Sequence, residues 1–409
     1  MPEIALPERF EFPSPAYSKL WGSLLGKAVL NYIGKPSDEE VHDFARYLMH
    51  GDPLADEVAQ LLKTMPMKAL QSMVGQALDQ GIASVADAPE ALKALFAELE
   101  HIPDWVNQEQ LRLGSEVQRR AGALGGYVLR NFALMGGYQS SAINKPLVFT
   151  GSLDSAASNR IAETNGFWVD ITREHGLQAF APGVKTAIRV RIMHAMLRVR
   201  IQRNPEWDNQ KWGLPINQAD MLATNLAFSS VFSDGLRLLG MQISRKEAEA
   251  VLHFWKYVGY LLGINIDTLP ETENEARRLL YKLTIAQPGS DADCRHLAQA
   301  LLHEPLQAPH PKSRWMRQLR VKFHQGLNRY FLDRHTCKEL GIGMTPWVLA
   351  GPAIAVPTFM AESVRKVVPG ATELAVKLGG SLQDNNQRRL MNGKTAQYQP
   401  VDKLRNESY

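Results

Sequence analysis

Cysteine is nearly missing from this sequence. Cys294 and Cys337 are the only two in 409 residues, too few for a disulfide framework or a conventional zinc site, and they fit a reducing compartment. Charge imbalance is also small. The 46 Lys and Arg against 42 Asp and Glu leave a net +4, which argues against nucleic acid as a partner. The opening MPEIALPERFEFPSP has acids and prolines where a secretory leader needs a basic start and an apolar run, so the expected location is cytoplasmic. No apolar run is long and unbroken enough to make a convincing transmembrane segment. The most apolar late stretch, Thr345 to Ala361, is interrupted by Pro346, Pro352 and Pro357. It reads as a buried segment with proline-set turns, with peripheral contact at a membrane or the wall of an apolar tunnel as alternatives. The GxSxG elbow, the GxxxxGKS/T loop, HExxH and CxxC are all absent, which removes the commonest hydrolase, nucleotide-binding, zinc-protease and dithiol chemistries.

What is present is helical periodicity. Hydrophobic residues are 45% and charged residues 22% of the chain, close to a soluble globular average. In SDEEVHDFARYLMHGDPLADEVAQLLKTM, Ser37 stands as an N-cap before acids and then apolar residues at helical spacing. Similar patterns recur from APEALKALFAELEHI to SRKEAEAVLHFWKYVGYLLG, and no long alternating run demands a sheet. The fold class is all-α. Expected divisions are an N-terminal helical extension (1–100), a central helical core (101–285), a C-terminal helical portion packed on it (286–383) and a mobile tail (384–409). The pairs Gly125–Gly126 and Gly136–Gly137 sit in helical, apolar context and read as close-packing positions rather than a phosphate cradle.

The stretch RVRIMHAMLR, Arg189 to Arg198, carries the most specific chemistry. On a helix of about 3.6 residues per turn, positions i−3, i and i+4 fall within roughly 60° of each other. Arg191, His194 and Arg198 therefore share the apolar face, and a cation–imidazole–cation set there needs compensation. A neutral imidazole can ligate iron while guanidiniums bind the two carboxylates of a haem. The alternative is a satisfied core histidine, with arginines reaching polar rims along their stems. Upstream, in RIAETNGFW, Arg160, Glu163 and Thr164 also share a face. They suit either a haem periphery, with the acid as proton relay or weak metal ligand, or ordinary surface pairing.

Taken together, Arg160 with Thr164, RVRIMHAMLR, WGLPINQAD (Trp212 to Asp220), HFWKYVGYLLGI (His253 to Ile264) and the earlier PDWV (Pro103 to Val106) resemble the latex-clearing protein (rubber oxygenase) family. That group includes fungal oxygenases related to the mycophenolate pathway. The resemblance spans roughly residues 100 to 265. It implies a globin-like helical core binding haem b, with His194 as the iron ligand, Arg160, Thr164, Arg191 and Arg198 retaining the cofactor, and dioxygen as co-substrate. Two departures are visible. Glu163 stands where rubber-cleaving members place a second, lysine ligand to the iron. Where they carry a functional glutamate on a preceding helix, this chain has no glutamate between Glu116 and Glu163, and Asn144 lies near that place. Both point away from polyisoprene; the expected substrate is small and apolar, saturated or unsaturated, with Glu163 and Thr164 as candidate catalytic residues. His253 reads equally well as a helix-packing residue. A non-catalytic haem or oxygen-binding protein, and a cofactor-free helical interaction protein, are the rival readings.

Overall fold

Local sequence signals set the helix ends. Ser37 accepts a hydrogen bond from the backbone N–H of Glu40 at 3.1 Å, and the Glu40 carboxylate accepts one from the N–H of Ser37 at 2.8 Å, a closed capping box. The pattern that follows is broken at Gly51–Asp52–Pro53. Asp52 caps the next helix, accepting from Ala55 N at 3.3 Å, and Pro53 takes its first position, where a missing N–H costs nothing.

The computed structural model describes residues 6–11, 14–150, 157–308, 311 and 313–391, and it contains no strand among the described residues. The helices that bear on the site are α1 (Pro53–Gln60), α2 (Gln108–Arg120), α3 (Ser141–Phe149), α4 (Ala157–Thr172), α5 (Pro182–Gln202), α6 (Gln218–Phe228), α7 (Arg245–Leu261), α8 (Ala292–Gln307), α9 (Arg314–Phe331), α10 (Ala350–Val367) and α11 (Ala371–Met391). Helix α5 packs against α1 on one side and α4 on another, and α7 lies along α2.

One apolar cluster runs from Phe44 to Ala286 and includes Phe96, Trp168, Phe232 and Trp255. The N-terminal segment thus contributes directly to the main core. A smaller cluster joins Met135 and Tyr138 to Leu297, Leu301 and Leu340, which holds the C-terminal helices to the body. Gly125 lies beneath the Trp168 ring, where a Cβ would stand 2.6 Å from the indole, so close packing accounts for that glycine.

Two expectations change. Helix α11 continues to Met391, past the expected start of the tail at 384, because Gln383 and Gln387 dock it. Gln383 donates to Gln118 O at 2.7 Å, and Gln387 donates to Ala162 O at 3.2 Å. Residues 392–409 lie outside the described residues. The stretch from Thr345 is helical and mostly exposed rather than buried. Pro346 opens a short 3-10 turn and Pro352 falls in the first turn of α10, where no backbone donor is missed.

Candidate functional site

Helix α5 carries His194, which is half-buried. Its Nδ1 is buried without a hydrogen-bond partner. Burial first, and the charge of Arg198 second, push its pKa down from 6.5 to about 4, against a smaller opposing pull from Asp52. At neutral pH this is an uncharged imidazole whose Nδ1 makes no hydrogen bond within the protein.

The two arginines beside it have partners of their own. Arg191 Nε and Nη2 donate to the Asp52 carboxylate at 2.7 and 3.0 Å, and Nη1 to Glu98 at 2.8 Å. Arg198 Nη1 donates to Asp56 at 2.5 Å, while Nε and Nη2 reach the Ile216 carbonyl at 3.2 and 2.9 Å. Their side chains are 3% and 1% exposed, so neither reaches a polar rim. Both guanidiniums, expected as partners of cofactor carboxylates, spend donors on protein acceptors. A buried guanidinium requires a resident counter-charge, and here α1 supplies one for each, Asp52 and Asp56.

The neighbouring backbone is shaped around these pairs. Gly263, at φ +77°, lies where any Cβ would strike the Asp52 carboxylate and the Arg191 guanidinium, and a Cβ on Gly51 would come within 2.8 Å of Asp56 and 3.1 Å of Arg198. WGLPINQAD belongs to the same buried network. Gln218 donates to the carbonyls of Gly51 and Gly263, both at 2.8 Å, and accepts from Asn265 N at 2.8 Å. Asp220 accepts from Arg9 at 2.5 and 3.0 Å and from Asn217 at 2.8 Å. Both motifs therefore act as a scaffold fixing the register of α5 against α1, α6 and α7.

Helix α4 packs along α5 and carries the second candidate set. Arg160 donates to Tyr138 Oη at 3.0 Å; Glu163 is half-buried and Thr164 exposed. Asn144 on α3 is buried and donates to Tyr138 O at 3.0 Å and to Cys294 Sγ at 3.5 Å, a structural use. His253 accepts from Asn107 N at 2.9 Å through Nε2 and meets the Trp105 ring edge-on at 5.9 Å. Burial and the nearby Lys256 lower its pKa, which keeps the acceptor lone pair free. His253 therefore serves the start of α2.

His324 escaped the sequence reading. It lies on α9 opposite a π-helical turn, Leu129–Leu134, a feature common at functional sites. Asn131 Nδ2 donates to Tyr127 O at 2.9 Å, so Asn131 Oδ1 is the acceptor of the 3.1 Å bond from His324 Nδ1. Burial, then Arg130 and Arg320, hold its pKa well below 6.5. No spacing rule in the surrounding residues marks it. Asp52 and Asp56 were likewise missed, although their i, i+4 spacing across a proline-started helix was a usable signal.

Among the described residues no group of three or more His, Cys, Asp and Glu is placed to hold a metal ion. A haem would need a protein nitrogen for its iron, and the neutral imidazole of His194, with no hydrogen bond at Nδ1, is a residue that could supply it.

Comparison with known proteins bears on the chemistry. A rubber oxygenase from Streptomyces sp. is 25% identical over 233 residues, which cover 55% of this chain and 56% of that protein. The chain thus aligns with just over half of that relative's length. The solved structure of a latex clearing protein, LCP, in the closed state superposes with a TM-score of 0.69 at 18% identity, covering 87% of this chain and 95% of that one, which establishes a shared helical fold. Residues 119–360 match the catalytic domain described as ER-bound oxygenase mpaB/B'/Rubber oxygenase. With more than half of its length inside that match, the chain belongs to this oxygenase family.

Proposed function

We propose that this protein is a haem b-dependent oxygenase that uses dioxygen on a small apolar, unsaturated substrate, with His194 as the protein ligand to iron. The observation that carries the reading is the His194 imidazole, neutral at physiological pH, with Nδ1 buried and without a hydrogen bond. Family membership supports the oxygenase class.

Within this reading the chain divides its labour. His194 presents a neutral nitrogen. The Arg191–Asp52 and Arg198–Asp56 pairs are positioning groups that hold α5, and so the imidazole, against α1. Arg160, oriented by Tyr138, is the candidate cation for a cofactor carboxylate, and Thr164 offers a hydrogen bond beside it. Glu163 takes the role of proton relay or distal ligand. A bound haem would supply the iron at which dioxygen is activated. The missing glutamate before Glu163 and the absent lysine favour a small substrate over polyisoprene. Cys294 and Cys337 are both buried and unpaired, which supports a reducing, cytoplasmic setting.

The test is the absorption spectrum of the purified, haem-supplemented protein, followed by oxygen uptake with apolar alkenes. Stoichiometric haem that is lost in His194→Ala is expected. A protein that takes up no haem, or a His194→Ala variant that retains the full spectrum, defeats the ligand assignment. Haem binding without oxygen uptake would instead favour a carrier.

A further inference from the structure

The segment Pro346–Val367 has a mean hydropathy of 1.3, yet only 11% of its most apolar window is buried. Its inner face is firmly anchored. Gly351 rests on the Tyr330 ring, the Ala355 carbonyl lies against Gly240, and Glu362, 8% exposed, faces Arg120 at 3.7 Å and Arg365 at 2.8 Å. Gln242 donates to Phe359 O at 3.2 Å and to Ser363 Oγ at 2.7 Å. Helix α10 is thus held broadside on the body.

Its outer face is apolar. Val356, Met360, Val364 and Val367 recur at helical spacing and are 57–76% exposed, and on α11 Leu374, Leu378 and Leu382 form a second stripe at 55–57%. The two helices touch. Exposed apolar stripes on this scale mark an interaction surface.

Charge identifies the partner. Helices α10 and α11 carry Arg365, Lys366, Lys377, Arg388 and Arg389 against Glu362, Glu373 and Asp384, and of these three acids only Glu373 is exposed. On the two helices Lys366, Lys377, Arg388 and Arg389 are exposed. A second copy docked through this face would set these exposed cations against one another, whereas anionic headgroups complement them.

We propose that the α10–α11 face is a peripheral docking surface for an anionic phospholipid bilayer, with the two helices lying in the plane of the interface and their valines, Met360 and leucines entering the acyl boundary. The inference rests on this surface alone and not on the oxygenase reading.

Sedimentation of the full-length protein with vesicles tests it, using phosphatidylcholine alone and phosphatidylcholine mixed with phosphatidylserine. Binding is expected on the serine-containing vesicles, weakened by salt, with little on phosphatidylcholine alone. Met360→Glu/Val364→Glu alters only exposed positions; with an unchanged circular dichroism spectrum it should lower partitioning about tenfold or more, by the loss of two apolar contacts. Lys366→Gln and Lys377→Gln should each lower it about fivefold. Absence of vesicle binding, or binding that none of these changes moves, overturns the proposal. So does a dimer in light scattering that Met360→Glu/Val364→Glu converts to monomer, because the face then belongs to a second copy.

Discussion

Replacing Arg191 by methionine separates the two roles that its position beside His194 allows. Methionine keeps most of the apolar stem but leaves Asp52, 4% exposed at its side chain, without the two hydrogen bonds at 2.7 and 3.0 Å. Losing one partner of a buried ion pair costs about 3–5 kcal/mol, mostly from the stranded charge. The contact with Glu98, whose side chain is 36% exposed, adds little. Spread over the unfolding entropy of a chain this long, the loss is a fall of about 4–6 °C in Tm. It is measured by thermal and urea unfolding of haem-free protein, where no cofactor carboxylate can contribute. Adding Asp52→Asn, which preserves the cap on α1 but removes the orphaned charge, should restore about 1–2 kcal/mol. A haem-free Arg191→Met protein as stable as the parent would refute the scaffold role and return Arg191 to the cofactor.

Gly263→Ala should act on the same pair from the backbone side. Its φ of +77° costs an L-residue about 1–2 kcal/mol, and the methyl displaces Asp52 from Arg191, so unfolding in urea should shift by more than the backbone cost alone. A shift within that cost would mean the pair tolerates displacement. His324 should shape the acid limb of stability. Its native pKa lies below the unfolded value of 6.5, so as pH falls through 6.5 the unfolded chain takes up a proton that the native state refuses, and stability declines. His324→Gln should make that decline shallower by about 1.4 kcal/mol per pH unit; parallel stability curves for parent and variant would count against a buried neutral imidazole.

Much of the helical class could be read from local rules, because periodicity and caps act over a few residues. The Ser37 capping box and the helical face of RVRIMHAMLR are of this kind. The partners of that face are not: Asp52 is 139 residues from Arg191, and Asp56 is 142 from Arg198. Two charges on an apolar face announce that compensation exists without saying whether it comes from a ligand or from another helix. His324 is harder still, since its acceptor, Asn131, is 193 residues away on a turn whose π geometry no composition signal marks. The Thr345–Ala361 stretch erred in the opposite direction. Hydropathy measures how apolar a segment is, whereas its burial depends on what remains to cover it after the body has packed.

The ion pairs at α5 also bear on where this molecule can be cut. The family match begins at residue 119, but Asp52 and Asp56 lie well before it. A fragment trimmed to the matched span would keep the imidazole and both guanidiniums while discarding both counter-charges and the Phe44–Leu99 share of the core. The span defined by shared descent is thus smaller than the core it packs into, because Asp52, Asp56 and the apolar residues from Phe44 to Leu99 belong to the same packed body as α5.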